Sequence, residues 1–181
     1  GSGNAGLTNF YRTFGGPLTG VVILTDVLKA VAAVLISRWL MLHGFTIFIS
    51  AASTTAFYDT VAKYWAGVFC LLGHMFPVMF KFKGGKGILS GGTIALMMDW
   101  RVALVVWGGF LILSIATKYV SLGSCWAGLS FPFVSWFVYH SLLILVLAII
   151  CGGLILWQHR GNINRLIHGT ESKFHFHKKA K

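Results

Sequence analysis

A chain of 181 residues in which 56% are hydrophobic, 15% aromatic and 10% charged, with a mean hydropathy of +0.78, falls outside the range of soluble domains, where about 45–50% apolar and about 25% charged residues are usual. It reads as an all-α integral membrane protein, a multi-span helical bundle. Fifteen Lys and Arg stand against four acids, Asp26, Asp59, Asp99 and Glu171, for a net charge of +11; this suits anionic lipid headgroups or phosphorylated ligands, and its division between short loops and a tail excludes nucleic acid as a partner.

The chain opens on GSGNAGLTNFYR. Gly1, Gly3 and Gly6 let the backbone turn closely around a ligand, while Ser2, Asn4, Thr8 and Asn9 offer neutral hydrogen bonds. Arg12 adds a forked, permanent cation suited to phosphate. From these residues alone, GSG reads equally as a tag scar followed by a helix cap.

A spanning helix needs about 20 mostly apolar residues, and hydropathy places six candidates, at 20–42, 61–80, 87–98, 102–117, 121–138 and 141–157, the third of them short. Asp26 and Lys29 lie one helical turn apart in the first, which predicts an internal ion pair facing the bundle interior. His74, in GHMFP, is a candidate general base or a helix-end hydrogen bonder. Pro77 and Pro132 fall inside apolar segments, where a kink is tolerated if neighbouring helices cover the freed carbonyl.

Between the second and third candidates lies FKFKGGKG. Gly84, Gly85 and Gly87 beside Lys81, Lys83 and Lys86 predict a backbone nest for an anion, with lysines to neutralise it. The stretch lacks the GxxxxGK[ST] spacing, so it is not an ATP-binding loop. Further on, Ser121 and Ser124 in YVSLGS either donate to the same anion or cap the helix beginning there. After the last candidate span comes HRGNINRLIHGTE, where His159, Asn162, Arg165 and Glu171 recur at spacings that share one helical face. Cys70, Cys125 and Cys151 sit singly in apolar runs and read as small fillers, so neither a disulfide nor a metal site is expected, and no cofactor.

If the N-terminal segment is cytoplasmic, one face receives Arg12, Lys81, Lys83, Lys86, Lys118, Arg160, Arg165, Lys173, Lys178, Lys179 and Lys181, and the other only Arg38, Lys63 and Arg101. Such segregation is what the positive-inside rule requires. The same count puts the four polar segments on one face, able to converge on a single site.

In this order, the segments resemble a known family. GSGNAGLTNFYRTFG and GHMFPVMFKFKGGKG are similar to the two signatures, GSGNxGxTNxxRxxG and GHxxPxxxxFxGGKG, of the bacterial acyl-phosphate:glycerol-3-phosphate acyltransferases, the PlsY family. YVSLGS and HRGNINRLIHGTE resemble its two later segments. The resemblance covers practically the whole chain and identifies GSG as the head of a motif. It implies an inner-membrane, multi-pass enzyme with its site facing the cytoplasm, a single membrane-embedded domain over 1–181 ending in a basic cytoplasmic tail at 171–181. It implies transfer of an acyl group from acyl phosphate to the 1-hydroxyl of glycerol 3-phosphate, giving lysophosphatidate. The family has seven spans where six are seen here, so its first helix is expected to be missing before residue 1.

By motif position, the resemblance assigns catalysis to His159, Asn162, Lys86, Arg12 and Ser2. It assigns phosphate binding to Gly3, Asn4, Thr8, Asn9, His74, Gly84, Gly85, Gly87, Ser121, Ser124, Arg165 and Glu171. The chain departs from the family at Lys118, where Arg is usual, and at ILSGGT after the lysine loop. The other reading of the same residues is a transporter of phosphorylated solutes, which the one-sided charge disfavours.

Overall fold

The computed structural model describes residues 6–44 and 52–174, and the side chains of Thr8, Arg12 and residues 52–54 are outside the described set. Among the described residues there are eight α-helices and no strand: α1 Leu7–Phe14, α2 Gly16–Gly44, α3 Ala52–Met75, α4 Ile88–Met98, α5 Trp100–Thr117, α6 Val120–Tyr139, α7 Leu142–Gln158 and α8 Arg160–Ile167. α2, the segment Thr55–Phe80 and α5 are each long and apolar enough to cross a membrane, and α7 qualifies together with α8, from which it is bent by 60°.

All six expected spans correspond to helices, with one displaced. The candidate at 61–80 is α3, which begins at Ala52 and stops at Met75. Its start escapes hydropathy because STTAFYDT is polar. Its end is set by Pro77, which lies in the turn before a short 3-10 segment, Val78–Phe80, and does not kink a helix; the residue before a proline is driven out of the helical region.

Pro132 does lie inside α6, where it cannot donate to the carbonyl of Gly128 four residues earlier. That carbonyl is covered by α7. A Cβ at Gly152 would collide with it and lie 3.2 Å from the Pro132 ring, and a Cβ at Gly128 would lie 3.1 Å from the Gly152 carbonyl. Two glycines therefore let α6 and α7 touch backbone to backbone, the small-residue contact on which helices in lipid rely.

The bundle is apolar on its outside, and its mainly apolar core also holds buried hydroxyls. Ser90, Thr93, Ser130 and Ser135 are buried, whereas Leu104, Ile112 and Phe133 are more than 60% exposed, as side chains facing lipid should be. Interior hydroxyls and indoles tie helices together: the Tyr64 hydroxyl of α3 donates to Ser135 of α6 at 2.7 Å, and Trp107 of α5 to the Gly92 carbonyl of α4 at 3.0 Å, while Ser135 itself donates within α6 to the Phe131 carbonyl. At one end of the bundle, Asp59 is held between Arg38 and Lys63, and Asp99 caps α5 while pairing with Arg101. Hydrogen bonds and charge from Arg101 outweigh the modest burial of Asp99 and hold its carboxyl below the ordinary range. Each of the three cations on this face, Arg38, Lys63 and Arg101, thus pairs with one of two acids, so most of the unmatched positive charge belongs to the other end.

Candidate active site

Because successive helices alternate in direction, the starts of α4 and α6 and the ends of α3, α5 and α7 meet at one end of the bundle, joined there by α1 and α8. They surround a cavity of about 550 Å³. α1 supplies Gly6, Leu7 and Asn9; α2 supplies Asp26; α3 supplies His74; and the lysine loop supplies Lys86 and Gly87. Ser121 and Ser124 come from α6, and His159, Asn162 and Arg165 from the α7–α8 corner. Trp107 and Phe110 of α5 line its apolar part.

Three helices, α1, α4 and α6, begin at this cavity, at Gly6, Gly87 and Tyr119. Each brings the positive end of its dipole to the cavity, an arrangement that attracts anions. Composition and motif spacing did not reveal this, since it depends on which helix ends the topology gathers.

One carboxylate organises the polar wall. Glu171 accepts from Ser121 Oγ at 2.8 Å and Asn162 Nδ2 at 2.7 Å on one oxygen, and from Arg165 Nε at 2.7 Å on the other. Burial raises the acid's pKa, but these three donors and the Arg165 charge outweigh it and hold the carboxyl below its ordinary value of 4.5. Glu171 is not on α8 as the spacing predicts: α8 stops at Ile167, the chain turns at Gly169, whose φ is +68°, and Glu171 reaches back from a strap. Thr170 N–H donates to the Arg165 carbonyl, and Phe174 N–H to the Lys118 carbonyl, both at 2.8 Å. Thr170, Ser172 and Phe174 of this strap also line the cavity, a contribution that the basic tail gave no sign of.

Lys86 donates to Asn162 Oδ1. Burial, then the nearby Arg165, lower its pKa, with Glu171 acting in the opposite sense. The ammonium is thus partly stripped of water and short of countercharge, ready to gain from an anion.

The two cavity histidines differ in tautomer. His159 is buried, and its Nδ1 lies 2.8 Å from the Ile155 carbonyl, which can only accept. Nδ1 therefore carries the proton and Nε2 keeps its lone pair. Burial drives its pKa down to about 4, helped by Lys86 and opposed by the Ile155 hydrogen bond and Glu171. His74 instead presents Nδ1 to the Lys29 ammonium at 2.5 Å.

Two expectations need correction. The Gly84 and Gly85 amides are not free for an anion, because they donate to the carbonyls of Met75 at 3.0 Å and His74 at 3.2 Å. Gly84 and Gly87 are needed for steric reasons: a Cβ at Gly84 would lie 2.6 Å from Pro77 Cδ, and Gly87 has φ +75° with Leu71 Cδ2 2.7 Å from any Cβ. Only Gly87 of the three lines the cavity. Neither serine caps α6: the cap position is Tyr119, Ser124 donates to the Val120 carbonyl, and Ser121 donates to Glu171. Ser2, Gly3 and Asn4 lie outside the described residues, as do the side chains of Thr8 and Arg12, while Asn9 lines the cavity.

A helical membrane protein that gathers a lysine, an arginine, hydroxyls and three helix starts around one cavity is built to handle phosphorylated molecules at a membrane. The chain belongs to the glycerol-3-phosphate acyltransferase family, whose model matches residues 1–169. It is 36% identical over 173 residues to a glycerol-3-phosphate acyltransferase of Thermoanaerobacter sp. (strain X514), covering 96% of this chain and 79% of that one. With the Bacillus subtilis (strain 168) protein of the same description, identity is 34% over 173 residues, 96% of this chain and 80% of that one. The fold is that of PlsY, crystallised as an integral membrane glycerol 3-phosphate acyltransferase in a glycerol 3-phosphate form. The match has a TM-score of 0.77 at 32% identity over 97% of this chain and 80% of that one; its lysophosphatidic acid form gives 0.76.

Proposed function

We propose that this acyltransferase takes its acyl group from acyl phosphate and transfers it to the 1-hydroxyl of glycerol 3-phosphate, releasing lysophosphatidate and inorganic phosphate. The observation that carries the reading is the cavity itself: its donors and cations are drawn from four separate sequence segments, and both carboxylates lining it, Asp26 and Glu171, already have cationic partners. Such a site accepts more than one phosphate. The chain works as a single domain in the bacterial inner membrane, with the cavity and the basic tail on the cytoplasmic side, the side that carries the unmatched positive charge.

An acyl phosphate is a mixed anhydride with a good leaving group, so positioning and charge stabilisation suffice and no covalent acyl-enzyme is needed. The glycerol hydroxyl oxygen bonds to the acyl carbonyl carbon. The bond from that carbon to the phosphate oxygen breaks, and its electron pair leaves on inorganic phosphate. His159 Nε2, the free lone pair at the cavity, takes the hydroxyl proton, with a substrate phosphate oxygen as the alternative acceptor. Lys86 and Arg12 neutralise phosphate, Ser2, Gly3, Asn4, Thr8 and Asn9 hold it from the first motif, and Ser121, Ser124, Asn162 and Arg165 from the later ones. Glu171 orients the latter.

Purified protein in lipid, given palmitoyl phosphate and radiolabelled glycerol 3-phosphate, should form labelled lysophosphatidate, and palmitoyl-CoA should not replace the donor. Product from the thioester alone, or none from either, overturns the donor assignment. Ping-pong kinetics would exclude direct attack.

A further inference from the structure

The sequence pairs Asp26 with Lys29, and the structure adds a third member from the cavity wall. Lys29 Nζ lies 2.5 Å from Asp26 Oδ1 and 2.5 Å from His74 Nδ1, with Asp26 Oδ1 3.7 Å from the same ring nitrogen. An ammonium has three N–H donors and no lone pair, so Nδ1 facing it can only accept. A neutral imidazole has one proton, which is then on Nε2. The ring is turned to match. Its Cδ2, bonded to Nε2, is 3.9 Å from where a Gly87 Cβ would sit, so the Nε2 side faces the lysine loop and the Nδ1 side faces α2. Asp26, His74 and Gly87 all line the cavity, and the His74 side chain is only 11% exposed.

We propose that Lys29, itself held by Asp26, is a positioning residue that fixes His74 as an Nε2–H donor to a substrate phosphate oxygen. The charge behind the ring also polarises it, strengthening the donor on its far side. His74 is then no proton acceptor, and the two histidines divide the work: His159 offers a lone pair and His74 a proton. This rests on the phosphate-handling reading of the cavity.

Nitrogen-15 NMR of the full chain in nanodiscs, with His74 assigned by loss of its signals in His74→Asn, tests the lock without reference to turnover. Wild-type protein should show His74 protonated on Nε2, and that nitrogen should shift on titration with glycerol 3-phosphate or inorganic phosphate. Lys29→Met should yield a mixture of tautomers, and Lys29→Arg should restore the single form. In kinetics, Lys29→Met should raise KM for one of the two phosphate substrates about tenfold, the scale of one charge-assisted hydrogen bond, with kcat changed less. Asp26→Asn/Lys29→Met, which leaves no unpaired buried charge, should behave like Lys29→Met and covers the case in which the single variant does not fold. A proton on Nδ1 in the wild type, a tautomer indifferent to Lys29, or an Nε2 signal unmoved by phosphate overturns the proposal. Should the wild type fail to use acyl phosphate while the tautomer responds as stated, the donor assignment falls and the lock stands.

Discussion

Lys86 is a cation inside the cavity that donates to the neutral oxygen of Asn162. Removing it should cost turnover without unfolding the bundle, since it lies in the loop before α4 and its bond to α8 is at the cavity, outside the hydrophobic core. Lys86→Ala is expected to lower kcat by about 10²–10³-fold, the range found when one preorganised donor is lost; near-normal kcat would refute its role at phosphate. His159 supplies a second test. Its pKa near 4 means that the imidazole stays neutral far below the usual histidine range, so the base remains competent as pH falls through 7 and 6. The kcat/KM profile should therefore show no histidine limb on its acid side down to about pH 5, only the titration of the substrate phosphate at about pH 6. A limb near 6.5 that vanishes in His159→Asn would contradict this. Glu171 titrates in the same sense: its lowered pKa means that its contribution to the folded strap is in place above pH 4.5 and is lost as pH falls further. At this scale the motifs told which residues meet, because His159, Asn162 and Arg165 follow a three-residue helical spacing. They could not tell that Glu171 returns through a turn, or which carbonyls absorb the Gly84 and Gly85 amides, since both depend on chain segments beyond any local pattern.

Among the helices, the crossing of α6 and α7 depends on two glycines that face each other, Gly128 and Gly152. Gly152→Ala places a methyl against the Gly128 carbonyl that Pro132 has freed, and the helices can accommodate it only by separating. A loss of about 1–3 kcal/mol is expected, as for other overpacked sites, read as a lower melting temperature in detergent. Gly153→Ala, one position along with open space around it, is the matched control and should be nearly neutral. Four of the six spans, α4 to α7, were readable to within a residue or two because their apolar runs end at polar turns. α3 was not, because its first two turns carry Asp59, which the fold satisfies with Arg38 and Lys63 from two helices, a compensation invisible to hydropathy.

For the molecule as a whole, charge fixes direction. Pairing of Asp59 and Asp99 with the cations of one end leaves the cavity end strongly positive, which is the end proposed to face the cytoplasm. With the native cysteines replaced, Lys83→Cys should react with an impermeant maleimide in inside-out vesicles and not in right-side-out ones, and His140→Cys, at the far end of α6, should do the reverse. The opposite pattern would invert the topology.

The strap also has a consequence for the timing of catalysis. Glu171 keeps Ser121, Asn162 and Arg165 aimed into the cavity through bonds within the chain, so their orientation does not wait for a substrate to impose it. The reorganisation that a solvent-exposed set of donors would undergo during each turnover was completed once, when the chain folded.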